Sequence, residues 1–104
     1  MFARITSGAI PPGKMDEYSR TMREVVIPRA QELSGFRGGH WLIDRDAGKA
    51  TAVVLFEDRR SVEASREDAT SICEAARARL GAPELKVEEC EVIASVDAEE
   101  RLAA

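Results

Sequence analysis

The chain predicts an α+β fold, a four-stranded antiparallel sheet with two helices packed on one face. Three observations lead there. Clusters of breakers cut the sequence into segments. The short segments carry strand patterning and the long ones helical periodicity. Their order is β-α-β-β-α-β. Right-handed crossovers and short connections fold that order into such a sheet. The 104 residues suffice for one core, assigned to residues 1–96. Residues 97–104 form a charged, Ala-rich tail that reads as a frayed helix.

Residues 2–10 begin with alternation and run into the turn cluster Pro11-Pro12-Gly13, which predicts a strand. One parity carries Phe2, Arg4, Thr6 and Gly8. Residues 14–33 repeat Met15, Tyr18, Met22, Val25, Val26 and Leu33 at three- and four-residue spacing, the signature of an amphipathic helix. Pro28 removes a backbone donor and clashes with the carbonyl of Glu24, so a kink or break is expected near Val26. Gly35 suits the left-handed position that ends a helix.

Residues 36–44 and 50–57 form two strands, joined by a loop in which Gly48 can take positive φ. Asp58 or Ser61 caps a second helix ending near Leu80. Its apolar stripe includes Val62, Ala69, Ile72, Cys73, Ala76 and Leu80. Residues 84–96 make the last strand.

Residues 50–57 are apolar on both parities, with Val53 and Leu55 opposite Ala52, Val54 and Phe56. Both faces of that strand need cover. The helices supply one, and the chain has no spare element for the other. A second copy, sheet to sheet, is the simplest cover, with Val53, Leu55 and Trp41 in the contact.

Composition narrows the function. Hydrophobic residues at 44% and charged residues at 33% place the chain among globular domains rather than disordered ones. Nineteen acidic residues against fifteen basic ones leave a net charge of −4, against a dedicated nucleic-acid binder. The longest apolar run, residues 50–56, is too short to span a bilayer, and the N-terminus lacks signal-peptide features. A cytoplasmic protein is expected, with no membrane or nucleic-acid partner. Cys73 and Cys90 then read as small, buried, reduced thiols. With His40 they offer no metal-ligand spacing, so no metal is expected.

Five features stand in order along the chain. They are the strand ending in Pro11-Pro12-Gly13, the helix ending at Ser34-Gly35-Phe36-Arg37-Gly38, and the Asp44-Arg45-Asp46 hairpin. The strand ending Leu55-Phe56-Glu57-Asp58 and the last strand with Glu91-Val92 complete the set. Together they resemble the antibiotic biosynthesis monooxygenase-like family of dimeric α/β barrels, over about residues 2–96. The resemblance implies a ferredoxin-like protomer whose sheets pair face to face, with a pocket between sheet and helices. Some members of that family are cofactor-independent oxygenases of polyketide-derived phenols, others degrade haem, and many have no known activity.

The haem-degrading branch uses an Asn on the first strand, a Trp near the end of the third and a His on the second helix. Here those strand positions hold Thr6 and Phe56, and residues 61–80 contain no histidine. Without an imidazole the usual axial ligand is missing. Haem degradation is not expected, nor any other cofactor.

The resemblance also turns Thr6 toward the helices, and Arg4 with it. Arg4, Thr6 and His40 are the catalytic candidates. Arg4 would hold an enolate or carboxylate, and His40 is the one side chain that titrates near neutrality. Tyr18, Met22 and Phe56 are the substrate-binding candidates. Each also has a plain structural reading: Arg4 paired with Glu89 or Glu91, Thr6 an ordinary strand residue, Tyr18 and Phe56 in the core, and His40 on the surface. Two functions follow. One is a cofactor-independent monooxygenase acting on aromatic or polyketide-like molecules. The alternative is a non-catalytic dimer, a small-molecule-binding or stress-associated module.

Overall fold

A computed structural model describes residues 1–98. The rest of the tail expected to be a frayed helix lies outside the described residues. The elements are β1 (Phe2–Ala9), a helix α1 continuous over residues 15–30, β2 (Phe36–Asp44), β3 (Lys49–Phe56), α2 (Arg59–Leu80) and β4 (Lys86–Glu91). The sheet order is β2-β3-β1-β4, with every neighbouring pair antiparallel. This is the ferredoxin-like α+β fold.

Helix α1 does not break at Pro28. An α-helical stretch, Met15–Thr21, passes into a π-helical turn, Met22–Val26, and then into a second α-helical stretch, Ile27–Ala30. The Ile27 amide donates to the Met22 carbonyl, five residues back. The wider turn absorbs the strain a proline imposes on a helix interior. Pro28 then stands at the start of the last stretch, where its missing N–H costs little. The helix ends at Ala30 rather than Leu33.

Gly35 has φ of 71°, and a Cβ built there would overlap the Ser61 side chain. Conformation and space both require glycine at this position. Asp58, rather than Ser61, caps α2, its carboxylate accepting from the Ser61 amide at 2.8 Å. That advances the helix start to Arg59.

The last strand is shorter than residues 84–96. Its partner β1 begins at Phe2, so the ladder stops at Glu91. One further bond runs from the Val92 amide to the Met1 carbonyl, at 2.9 Å. The hairpin pairs Asp44 with Lys49, His40 with Val53 and Trp41 with Ala52, with a bulge between Phe36 and Gly38.

The core lies between the sheet and the helices. Tyr18, Met22 and Val26 of α1 meet Ile72, Ala76 and Leu80 of α2 over Ala50. On the sheet face away from the helices, Ile5, Val53 and Leu55 are half-buried, while His40, Leu42 and Cys90 are exposed. Both cysteines are free thiols, but the expectation that both are buried fails. Cys73 is half-buried, and Cys90 on edge strand β4 is exposed. No helix among the described residues is long and apolar enough to cross a membrane.

Candidate functional site

Strand β1 sets the site through its parity. Thr6 pairs with Ala52, which pairs with Trp41, so these three form one row across the helix-facing surface. Arg4, one row away, lies between Val54 on β3 and Glu89 on β4. Two adjoining spaces above this surface form the site, and a third, of about 240 Å³, lies apart between α1 and β2. The first is a narrow chamber of about 60 Å³. It is lined by Ile10, Tyr18, Met22, Val26, Trp41 and Leu80, among others, and its walls are almost wholly apolar. The second is a cleft of about 400 Å³ bordered by Arg4, Arg66, Ala69, Glu74, Val87 and Glu89. Thr6, Cys73 and Leu85 line both spaces, so they form a throat where the two meet.

Arg4 is only 5% exposed. Its Nη2 donates to the Val62 carbonyl at 2.8 Å and reaches the Glu89 carboxylate at 3.4 Å. Its guanidinium lies over the Phe56 ring, 5.0 Å from the ring centre, a cation–π placement. Nη1 is buried with no hydrogen-bond partner among the described residues. Glu89 belongs mainly to Arg66, whose fork donates at 3.1 and 2.7 Å to the two carboxylate oxygens. That forked bond, more than Arg4, holds the Glu89 carboxyl below its ordinary range.

Burial raises the Cys73 thiol. The Arg4 charge and a hydrogen bond with Thr6 oppose the shift, and Glu74 adds to it. Burial, aided by Cys73, pushes the Tyr18 phenol up to about 12. Tyr18 therefore stays protonated at neutral pH and can donate a hydrogen bond but cannot act as a base.

Arg4 and Thr6 share the helix-side surface, and Tyr18 and Met22 roof the apolar chamber. Other residues expected at the site lie elsewhere. His40 pairs with Val53 and is exposed on the opposite face, out of reach of the chamber. Phe56 is fully buried and lines neither space; it is the floor under Arg4. Trp41, expected in the sheet-to-sheet contact, shares the row of Ala52 and Thr6 instead and packs against the core. Val53 and Leu55 do face away from the helices. Cys73, Leu85, Arg66 and Glu89 join the site although the sequence marks none of them as a pocket residue. Cys73 lies on the predicted inner stripe of α2, but stripe membership alone does not separate a pocket wall from core.

The described residues contain no cluster of three or more His, Cys, Asp or Glu able to hold a metal ion. The chain also offers no imidazole on the helix side, because its single histidine faces the other way. The residues of this pocket do not fit a histidine-ligated haem.

No protein-family model matches the chain. Among curated proteins it is similar to two uncharacterized proteins of Mycobacterium tuberculosis, Rv2558 and Rv2557. The first is 32% identical over 92 residues and the second 26% over 88. These matches take in 88% and 85% of this chain but only 39% and 38% of the relatives, so the chain spans about two-fifths of their length.

Among solved structures it is similar to the NE2512 protein of unknown function from Nitrosomonas europaea. The TM-score is 0.74 at 17% identity, over 99% of this chain and 94% of that one. It is also similar to the heme-degrader MhuD of Mycobacterium tuberculosis, solved with two hemes bound (TM-score 0.72, 20% identity, 93% and 100% covered). A third is the monooxygenase ActVA-Orf6 of Streptomyces coelicolor, in complex with Nanaomycin D (TM-score 0.72, 12% identity, 94% and 92% covered). Four further similar structures are described as antibiotic biosynthesis monooxygenases, three of them as putative ones. The fold is that of the antibiotic biosynthesis monooxygenase-like proteins, the family that the sequence resembles.

Proposed function

We propose that the protein is a cytoplasmic homodimer that oxygenates an aromatic, polyketide-like small molecule without a cofactor, in the pocket between sheet and helices. The observation that carries this reading is the apolar chamber between Tyr18 and Trp41, which opens through Thr6 toward a roomier cleft and the buried charge of Arg4. The chamber, at about 60 Å³, is narrower than a ring, whereas the adjoining cleft of about 400 Å³ holds one, with an oxygen of that ring at the Thr6 throat.

The substrate supplies its own electrons. A phenol loses its proton, and the resulting carbanion gives one electron to dioxygen. The radical pair then joins through a carbon–oxygen bond. Loss of water from the peroxide leaves a quinone, so one dioxygen yields one new carbonyl and one water. The throat lends this sequence a field rather than a strong base. Tyr18 keeps its proton, and Glu89 is a weakened base held by Arg66. Ionisation rests on the acidity of the phenol, aided by the positive charge of Arg4.

The homodimer rests on the uncovered face with Ile5, Val53 and Leu55. Pairing two such faces would bury on the order of 2,000 Å² in total, the scale of a permanent interface.

The test is oxygen uptake with anthrone in the presence of a chelator. The expected result is one dioxygen consumed per anthraquinone formed, at a rate well above buffer and lowered by Thr6→Val. Tight anthrone binding with no uptake above buffer would overturn the oxygenase reading in favour of a binding module.

A further inference from the structure

We infer that the ligand of this pocket carries a carboxylate set apart from its reacting ring oxygen, and that Arg4 is the group that reads it. This rests on the helix-side pocket proposed above and deepens it.

Thr6 lines both spaces, whereas Arg4 lines only the cleft. Both side chains stand on one face of β1, two residues apart, so their backbone origins are separated by about 6–7 Å. The Arg4 guanidinium reaches toward Phe56, which pairs with Phe2, and so leans away from Thr6 rather than back toward it. A single ring oxygen cannot meet both groups. A molecule that uses both carries two oxygen functions, one at the throat and one about a ring width further along the cleft.

The second function is anionic. Arg4 brings a full charge to a site where it is 5% exposed, and Nη1 has no partner among the described residues. A buried guanidinium donor left unpaired is costly, and a carboxylate that reaches Nη1 from the cleft satisfies it with a charge-assisted bond. Glu89 does not already fill this role. Its contact with Arg4 is long, at 3.4 Å, and both its oxygens are taken by Arg66 at 3.1 and 2.7 Å. Of the other acids at the cleft, Glu74 is held by Arg77 at 2.8 Å. Glu84 is exposed at the rim. The ligand class is therefore a hydroxylated aromatic acid, with its ring along the cleft, its hydroxyl at the Thr6 throat and its carboxylate at Arg4.

Two matched probes test this, 6-hydroxy-2-naphthoate and its neutral analogue 6-hydroxy-2-naphthamide. The readout is the fluorescence of Trp41, the single tryptophan of the chain and a wall of the chamber. The acid is expected to bind at least tenfold more tightly than the amide. Arg4→Gln is expected to erase that preference while leaving amide binding within about twofold. Arg45→Gln, an exposed arginine of the hairpin loop outside the cleft, is expected to keep it. Equal binding of acid and amide by the unaltered protein overturns the charge assignment while the aromatic pocket stands. Survival of the preference in Arg4→Gln does the same. Binding of neither probe overturns both the assignment and the pocket. If Arg4→Gln does not fold, the acid–amide comparison in the unaltered protein decides the matter.

Discussion

The guanidinium of Arg4 lies over the ring of Phe56, 5.0 Å from its centre, and the two fill the interior beneath the start of α2. Phe56 has no exposed surface, and Arg4 carries a full charge into nearly the same depth. The ring gives the charge a favourable face on one side, and the Val62 carbonyl takes one of its donors on the other.

Phe56→Leu is therefore expected to cost about 1–3 kcal/mol, from a smaller core side chain and a lost cation–π contact. Because Phe56 lines neither the chamber nor the cleft, Trp41 fluorescence titrations of the folded variant should show neutral aromatic probes bound as before. Denaturant melts measure the first effect.

Val53 and Leu55 point away from the helices on a central strand. Val53→Asp places a charge in the proposed contact, where an unpaired carboxylate is strongly disfavoured. Sedimentation is expected to find dimers for the unaltered protein and monomers or insoluble chains for the variant. A stable folded monomer of the unaltered chain at micromolar concentration would exclude the sheet-to-sheet pairing.

Tyr18 is the single tyrosine, so its ionisation can be followed by absorbance without interference. Burial raises the folded phenol to about 12 from an ordinary value of 10.0. Between these values the unfolded chain releases a proton that the folded one retains. Stability should therefore fall as pH rises from 10 toward 12. Phenolate absorbance should appear together with unfolding at a pH above 10.0, and Tyr18→Phe should flatten this alkaline limb.

Glu89 shifts the opposite way. Its carboxyl is held low by the Arg66 fork, so its contribution is complete above the ordinary carboxylate range. It is lost as pH falls through the lowered value. Acid titration monitored by circular dichroism should show Glu89→Gln less sensitive to pH in this range than the unaltered protein.

Gly35→Ala is expected to destabilise by more than about 2 kcal/mol. The new methyl would overlap the Ser61 hydroxyl, and the residue would have to hold φ at 71°. Thermal unfolding of Gly35→Ala beside the double variant Gly35→Ala, Ser61→Gly separates the clash from the backbone strain. The double variant should recover only the first part.

The fold is legible in the sequence because its signals are local. Alternation, three- and four-residue spacing and breaker clusters locate all six elements, and Asp58 is visible as a cap. Parity alone does not settle register across strands. It leaves Trp41 on the wrong surface, because the face of that residue depends on the pairing through the turn. Asp44 opposite Lys49 forces Trp41 opposite Ala52, and counting back from the loop places it. His40 is fixed by the same count. Phe56 carries no sign that it lies under an arginine rather than beside a ligand. Cys73 and Leu85 come from different elements, and only packing brings them to the throat. The strain of Pro28 is evident in the sequence, but its remedy is not, because a π-helical turn has no composition of its own.

That turn makes α1 unusual in the length changes it can accept. It holds one residue more than an α-helical turn, so deleting one residue between Met22 and Val26 could restore ordinary pairing without rotating the rest of the helix. Elsewhere in α1, and throughout α2, the same deletion would swing the downstream side chains by about 100° and turn the apolar stripe outward. Pro28 governs even this exception. With the spare residue gone, its ring would meet the carbonyl of the preceding turn, so the shorter helix is accessible only to a chain that first loses the proline. The order of the two events is fixed. A lineage that keeps Pro28 keeps its surplus residue as well.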